Sequence, residues 1–335
     1  MDLELSDEQR WLTESVETLL EREAQDGLWT RLVEFGALSV GGDDGLGAVE
    51  LCLIARALGA QLAPVPYLGS SALRFAADPD IGDDAVALAV LEPGACWGAA
   101  PSLTTVAGDH VVSGRKSAVE HASAVERLAV IAAAPQGPVL GIVDAAAPGV
   151  ALVAQPTFDP TAPMDAVELV DAPIAPLGAD AIGRLLTIGG LLAAAEAVGA
   201  AGRMLDDACR YAAERRQFGR TIGSFQALRH LLADMYVRQA SSWSSVLYAA
   251  AALDEDADEA ARTASVAKAY VSRAAREVAH GAMQVFGGIA VTAEHPAHRF
   301  LRRIVVRERQ FGDAAYHERA LGRALAATVV PEPVR

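Results

Sequence analysis

Apolar residues recur at helical spacing near both ends of the chain, and this pattern predicts most of its secondary structure. Residues 5–23 place their apolar side chains on one face, behind Ser6 as a potential N-cap. The same spacing predicts further helices over residues 28–35, 49–58, 181–216, 224–253, 259–286, 296–306 and 313–327. The prolines of the segment LAPVPY, at 62–67, end the third of these helices because proline cannot continue the hydrogen-bond ladder.

The middle of the chain has a different pattern, in which short apolar runs alternate with Gly, Pro and Asp turns. This pattern predicts short strands at 85–91, 125–132 and 139–143. The fold class is therefore mainly α with a small central β domain. We predict an N-terminal helical domain (1–80), a middle β domain (81–178) and a C-terminal helical bundle (179–335), the last resembling a four-helix bundle.

Composition and charge exclude several classes of function. The net charge of −15 argues against nucleic-acid binding, which needs a basic face to neutralise phosphates. The three cysteines are far apart and form no disulfide or metal pattern, as expected for a reducing cytoplasm. The longest apolar stretch, 185–202, is interrupted by Glu196 and predicts a buried helix rather than a membrane span. We expect Glu196 to pair with an arginine across a helix interface, since a lone buried carboxylate is costly.

Two blocks concentrate the residues that could bind a ligand. In RRQFGRTIGSFQ, at 215–226, two predicted helices meet at a turn over 219–224, and three arginines flank Phe218. This arrangement indicates either a solvated helix end or an anion site, because guanidinium groups suit phosphate oxygens. In QVFGG, at 284–288, the glycine pair indicates either a helix C-cap or a close approach of a ligand to the backbone.

In this order and spacing, the two blocks resemble the acyl-CoA dehydrogenase family. The resemblance extends over nearly the whole chain. It includes LSDEQ near the N-terminus, the segment LGAQLAPVPY, the helix–β–helix layout and the late segment HPAHRFLRR.

The resemblance implies an FAD-dependent enzyme that desaturates an acyl-CoA thioester between its α and β carbons and passes electrons to an acceptor. In the family a Glu removes the α-proton, and the Arg and Phe of RxxFG reach the FAD of a neighbouring subunit. The family residues that contact the neighbour's FAD correspond here to Arg215, Phe218, Gln226, Gln284, Gly287 and Gly288.

Other family positions have changed. The Thr of the family's TEP motif, which binds the flavin ring, is replaced by Leu91. The Trp and Thr of its WIT segment are replaced by Ala118 and Glu120. The two positions at which the family carries its base hold Phe311 and Gly189, and neither side chain accepts a proton. The chain therefore has no predicted catalytic residue.

Three interpretations remain open. The first is a non-catalytic subunit, inactive alone, that completes the FAD site of a homologous catalytic partner. It resembles one half of the actinobacterial α2β2 enzymes of steroid side-chain breakdown. The second is an autonomous homotetramer with a relocated base such as Asp313, Glu308 or Glu120. The third is a flavin-free scaffold or acyl-CoA-binding protein. In each case we expect a cytoplasmic protein without membrane insertion.

Overall fold

Helices at both ends of the chain enclose a central sheet in the computed structural model, which describes residues 4–22, 27–41, 45–77, 82–108 and 110–329. The α-helices in those ranges are α1 (Asp7–Arg22), α2 (Leu28–Glu34), α3 (Ala48–Gln61), α4 (Tyr67–Ala76), α5 (Ala181–Glu214), α6 (Gln226–Asp254), α7 (Ala260–Phe286), α8 (Ala297–Arg309) and α9 (Ala314–Val329). The predicted fold class is confirmed. The predicted boundary at residues 80 and 81 lies outside the described residues.

The strands of the middle region form one mixed sheet. They are β1 (Val86–Ala89), β2 (Thr105–Ala107), β3 (Val111–Glu120), β4 (Arg127–Ala134), β5 (Gly137–Asp144), β6 (Val150–Gln155), β7 (Met164–Pro173) and β8 (Ala175–Gly178). Their order is β6-β7-β3-β2-β4-β5-β8, with β1 parallel to β4. The inward faces of these strands form a second apolar core beside the large helical one.

Local signals explain where the first helices begin and end. Ser6 and Gln9 form a reciprocal capping box at the start of α1, as expected for the N-cap that the sequence predicts. Helix α3 ends at Gln61, and Leu62 then adopts a left-handed conformation (φ 51°) before the prolines. The sequence pattern does not predict α4, because the prolines indicate the end of helical structure. Proline is tolerated at a helix start, however, and Pro66 is the N-cap of α4.

The connection between α5 and α6 also differs from expectation. The predicted direct helix–helix turn at 219–224 is wrong, because α5 ends at Glu214 and a two-stranded hairpin follows. Its strands are β9 (Arg216–Gln217) and β10 (Arg220–Thr221), paired antiparallel. Arg215 is the C-cap of α5, whereas Arg216 and Arg220 lie in the two strands of the hairpin.

Helix α5 is the central element of the C-terminal bundle and packs against α3, α6, α7 and α8. It is long and apolar enough to cross a membrane, yet 83% of its most apolar window is buried inside the protein. Its contact with α3 is very close: a Cβ added at Gly199 would collide with the backbone carbonyl of Arg56, and one at Gly59 with that of Glu196. Glycine at these crossing points allows the two backbones to touch.

We predict that Gly199→Ala destabilises the protein by about 1–3 kcal/mol, because the added methyl forces α3 and α5 apart. The matched control is Gly183→Ala on the same helix, where the new Cβ meets nothing within 4 Å. That change should stabilise the helix by about 0.5–1 kcal/mol through alanine's higher helix propensity. Urea unfolding of both variants measures the difference, and equal midpoints would contradict the close crossing.

Candidate functional site

A cavity of about 270 Å³ lies between the sheet and helix α8. Its walls come from the start of α4, from β1 and the segment that follows it, from the end of β3, and from the end of α8. Most lining side chains are apolar, and the polar ones are Glu120, His121, Arg309 and Gln310. The cavity contains Leu91, Ala118, Glu120 and Phe311, the residues found at four of the replaced family positions.

An aromatic ring fills the place where both predicted base positions meet. Phe311 has a left-handed backbone (φ 58°), and its ring stacks on Trp97 with centroids 5.0 Å apart. A Cβ added at Gly189 would lie 2.5 Å from the Phe311 ring. The structure therefore brings the two base positions into contact, and the glycine at one makes room for the phenylalanine at the other.

Hydrogen bonds hold this aromatic side chain in its place. The buried ammonium of Lys268 donates to the carbonyls of Glu308 and Gly312, at 3.0 and 2.9 Å, and so fixes the turn after α8. The imidazole Nε2 of His317 lies 3.0 Å from the carbonyl oxygen of Phe311. The turn is rigidly supported although its central side chain cannot exchange a proton.

Two of the three carboxylates considered as relocated bases form hydrogen bonds or ion pairs outside the cavity. Asp313 accepts a hydrogen bond from the backbone N–H of Tyr316 at 2.8 Å, at the start of α9. Glu308 pairs with Arg276 at 2.9 Å. Neither carboxylate lines the cavity.

The third carboxylate, Glu120, does line the cavity but is clamped by a guanidinium group. Arg307 donates to both of its oxygens at 2.7 Å, and the side-chain amide of Gln310 donates to it at 2.7 Å. Burial by itself would raise the pKa of Glu120, but the charge and hydrogen bonds of Arg307 hold the pKa well below its usual range. A carboxylate held in this way is a poor proton acceptor.

The same arginine continues a chain of buried ion pairs into the helical core. Arg307 also pairs with Glu196 at 2.7 Å, and Glu196 contacts Arg303 in turn. Arg303 is fully buried and pairs with Asp159 at 2.5 Å. The prediction that Glu196 pairs with an arginine across a helix interface is confirmed. We call these five side chains the ion-pair network, in which three carboxylates surround two guanidinium groups.

The arginine-rich hairpin lies on the surface, apart from this network. Arg215, Arg216 and Arg220 are exposed, and none of them pairs with a carboxylate among the described residues. Phe218, at the tip, is 90% exposed and has a left-handed backbone (φ 52°). Its ring meets Phe225 edge-on at 6.1 Å, and Arg220 lies 4.0 Å above the Phe225 ring.

The second predicted block lies beside the first. Tyr211, at the end of α5, packs against Phe286 at the end of α7, with ring centroids 5.5 Å apart. The remaining predicted cofactor residues near these two helix ends are all exposed: Gln226, Gln284, Gly287 and Gly288. The structure thus gathers both blocks on one exposed surface, whereas the cavity lies between the sheet and α8 and has other lining residues. We call this surface the arginine surface.

Comparison with known proteins decides the family. The model of the acyl-CoA dehydrogenase C-terminal domain matches residues 177–326. Acyl-CoA dehydrogenase FadE27 of Mycobacterium tuberculosis is 30% identical over 349 residues, which cover 92% of this chain and 90% of that protein. The chain belongs to the acyl-CoA dehydrogenase family.

Two solved structures of this family are especially similar. The ChsE4–ChsE5 complex from Mycobacterium tuberculosis contains a chain of 28% identity and TM-score 0.87, with 99% of this chain and 100% of that chain covered. The Tcur3481–Tcur3483 steroid acyl-CoA dehydrogenase, a G363A variant, gives 27% identity and TM-score 0.88, with 96% and 98% covered. The acyl-CoA dehydrogenase family depends on FAD.

The cavity of this family member does not fit a flavin ring. Leu91 and Ala118 offer no side-chain hydrogen-bond donor, and the Glu120 carboxylate accepts bonds only. Ala118 is exposed at a register irregularity of β3 (φ 52°) and leaves the cavity wall without the family's indole. The Trp97–Phe311 pair occupies part of the space between sheet and helices. The arginine surface, by contrast, offers guanidinium groups without carboxylate partners among the described residues, and such groups fit a phosphate-bearing cofactor.

Sequence reasoning did not find Trp97, Arg307 or Asp159. Trp97 lies four residues after the LEP segment in a Gly- and Ala-rich loop, with no periodic pattern to place it. Arg307 is 187 positions from its partner Glu120, and Asp159 is 144 positions from its partner Arg303, so each pair meets only through the folding of α8 against the sheet side. One signal in the sequence could have indicated the Arg307 pairing. Glu120 stands at a position where the family contacts the flavin, and a buried carboxylate there needs a cation nearby.

We predict that Arg307→Met costs about 3–5 kcal/mol of unfolding free energy, because it leaves the Glu120 carboxylate without its guanidinium partner and Glu196 with Arg303 alone. The control, Arg273→Met, breaks the exposed Arg273–Glu318 pair and should cost less than about 1 kcal/mol.

The same pair predicts a pH dependence of stability. Because the folded-state pKa of Glu120 is depressed, Glu120 stabilises the fold above about pH 4.3, and this contribution is lost as the pH falls. Wild type should thus lose more stability between about pH 5 and 3 than Arg307→Met; chemical unfolding at several pH values tests both expectations.

Proposed function

We propose that this chain is a non-catalytic subunit of a heteromeric, FAD-dependent acyl-CoA dehydrogenase. In this proposal it completes the FAD site of a homologous catalytic subunit and performs no proton or hydride transfer itself. The observation that carries the proposal is the contrast between its two sites. The arginine surface keeps its unpaired guanidinium groups, while the cavity has an aromatic ring at the base position and a clamped carboxylate at a flavin position.

The arginine surface has the chemistry that a partner-bound cofactor needs. Arg215 can donate two parallel hydrogen bonds to a pyrophosphate, and the exposed ring of Phe218 can cover part of the cofactor. Apart from its edge-on contact with Phe225, the Phe218 ring is exposed, so a partner that covers it would bury additional apolar surface. The FAD would supply hydride acceptance in the partner's site, and this chain's residues would hold its phosphate and adenosine end.

The names of two similar proteins support a proposal for the partner and the substrate class. Both solved neighbours are named as pairs of different proteins, and one is named as a steroid acyl-CoA dehydrogenase. We therefore infer an α2β2 assembly with a catalytic homologue, an acyl-CoA thioester with a steroid-derived acyl group as substrate, and an electron-transfer acceptor. We place this assembly in the cytoplasm, without membrane insertion.

The alternative of an autonomous homotetramer needs a working base and a flavin-binding cavity. Asp313 and Glu308 do not line the cavity, and the Glu120 carboxylate is held by Arg307. A flavin-free scaffold has no chemical need for three exposed arginines beside an exposed phenylalanine. The homotetramer leaves the clamped Glu120 unexplained, and the scaffold leaves the exposed arginines beside Phe218 unexplained. A shared FAD site is consistent with both observations.

We predict that Arg215→Ala, introduced into the co-expressed complex, weakens FAD retention about tenfold or more, because a charge-assisted hydrogen bond contributes about 1.5–3 kcal/mol. Arg210→Ala is the matched control, since Arg210 is an exposed arginine that already pairs with Asp207. The measurement is the flavin absorbance that remains after dilution and gel filtration, with subunit ratio checked by mass. Equal flavin loss in the two variants would contradict the proposal.

A further inference from the structure

The ion pairs of the C-terminal helices are interrupted at the arginine surface. Before it, Arg203 and Arg210 both pair with Asp207 on α5, and after it Arg238 on α6 pairs with Glu277 on α7. Four exposed arginines lie between these positions, and none of them pairs with a carboxylate among the described residues. We call them the counterion-free arginines: Arg215, Arg216, Arg220 and Arg229. The chain has 43 acidic residues against 28 basic ones, so carboxylates are not scarce.

Contacts within the hairpin region hold most of these cations in place. Arg216 and Arg229 donate to backbone carbonyls of the hairpin and of the turn that follows it, at 3.0 and 2.9 Å. Arg220 lies over the Phe225 ring, 4.0 Å from its centroid. Within the described part of the chain, the Arg215 guanidinium has no hydrogen-bond partner. These contacts concentrate positive charge on a small surface but do not neutralise it.

A protein that covers this surface has to replace the water around the guanidinium groups. Burying a charged group without a counterion is strongly unfavourable, because its hydration is lost and nothing replaces it. A covering surface that brings an anion offsets this loss through charge-assisted hydrogen bonds. The counterion-free arginines therefore make association conditional on an anion in the partner, and such a condition distinguishes one partner from another.

Three candidate partners differ in this respect. A second copy of this chain, docked through the same surface about a two-fold axis, would bring identical cations together. A flavin-free catalytic subunit would cover the arginines without supplying an anion. A catalytic subunit that holds FAD presents the cofactor's pyrophosphate, whose oxygens match the donor fork of a guanidinium group.

We propose that the counterion-free arginines select the partner of this chain. They permit association with the FAD-loaded catalytic subunit and disfavour association with its flavin-free form or with a second copy of this chain. The inference rests on the proposed shared FAD site and adds to it a dependence of assembly on flavin loading. Because linkage is reciprocal, FAD strengthens assembly by the same factor by which assembly strengthens FAD binding.

The test measures the dissociation constant between the full-length chain and its catalytic homologue, with FAD present and after FAD has been removed. Circular dichroism first establishes that the flavin-free homologue is still folded. We expect association with the flavin-free homologue to be weaker by about tenfold or more, as for the loss of one charge-assisted hydrogen bond. ADP, which has the pyrophosphate and adenosine but no flavin, should recover part of the affinity. Riboflavin, which has the ring but no phosphate, should recover none.

A variant separates this selection from structural damage. Arg215→Ala should weaken association with the FAD-loaded homologue without weakening association with the flavin-free one, whereas a misfolded variant would lose both. Arg210→Ala is the matched control, because Arg210 already pairs with Asp207, and it should keep the wild-type difference. The lone wild-type chain should be monomeric by native mass.

Three results would overturn the selection. They are equal dissociation constants for the FAD-loaded and flavin-free homologue, recovery by riboflavin but not by ADP, and a lone-chain dimer that Arg215→Ala dissociates. If the constants are equal while Arg215→Ala still lowers flavin retention in the complex, the selection fails and the shared site stands. If Arg215→Ala also leaves flavin retention unchanged, the shared site fails as well.

Discussion

The buried ion-pair network is the interaction on which the rest of this structure depends. It joins three parts of the chain that lie far apart in sequence: the sheet side through Glu120 and Asp159, the central helix α5 through Glu196, and α8 through its two arginines. Single buried charges cost several kcal/mol each, so these groups are tolerated only as a complete set. The network therefore fixes how α8 sits against the sheet, and with it the shape of the cavity between them.

This constraint also bears on the proposed non-catalytic role of the chain. Glu120, at the predicted flavin-binding Thr position, is accommodated because Arg307 and Gln310 donate hydrogen bonds to its carboxylate. In the turn that follows α8, the Phe311 ring packs on Trp97. Gly189 of α5 makes room for this ring. The proposal thus links the residues at the predicted base and flavin positions to one packed interior. The exposed residues of the arginine surface lie outside this packing.

Much of this arrangement could be predicted from the sequence, and the remainder could not for identifiable reasons. Periodicity located the long helices and the β region, and the RxxFG and QxxGG blocks identified the family. The need of Glu196 for a cation followed from the cost of a buried carboxylate. Helix α4 and the hairpin after α5 were missed because proline and glycine signals do not distinguish a break from a new start. The partnership of Arg307 with Glu120, and the contact of Trp97 with Phe311, depend on tertiary packing that no local pattern records.

The central claim is that the pair of unlike chains has one complete flavin site, to which this chain contributes only the phosphate-facing side. The most direct measurement is the number of flavins per chain, from the visible spectrum and the native mass of the chain purified alone and with its catalytic homologue. The account predicts a colourless lone chain and a yellow complex with one FAD for every two chains. A yellow lone chain that oxidises an acyl-CoA, or a complex with one FAD on every chain, would contradict it.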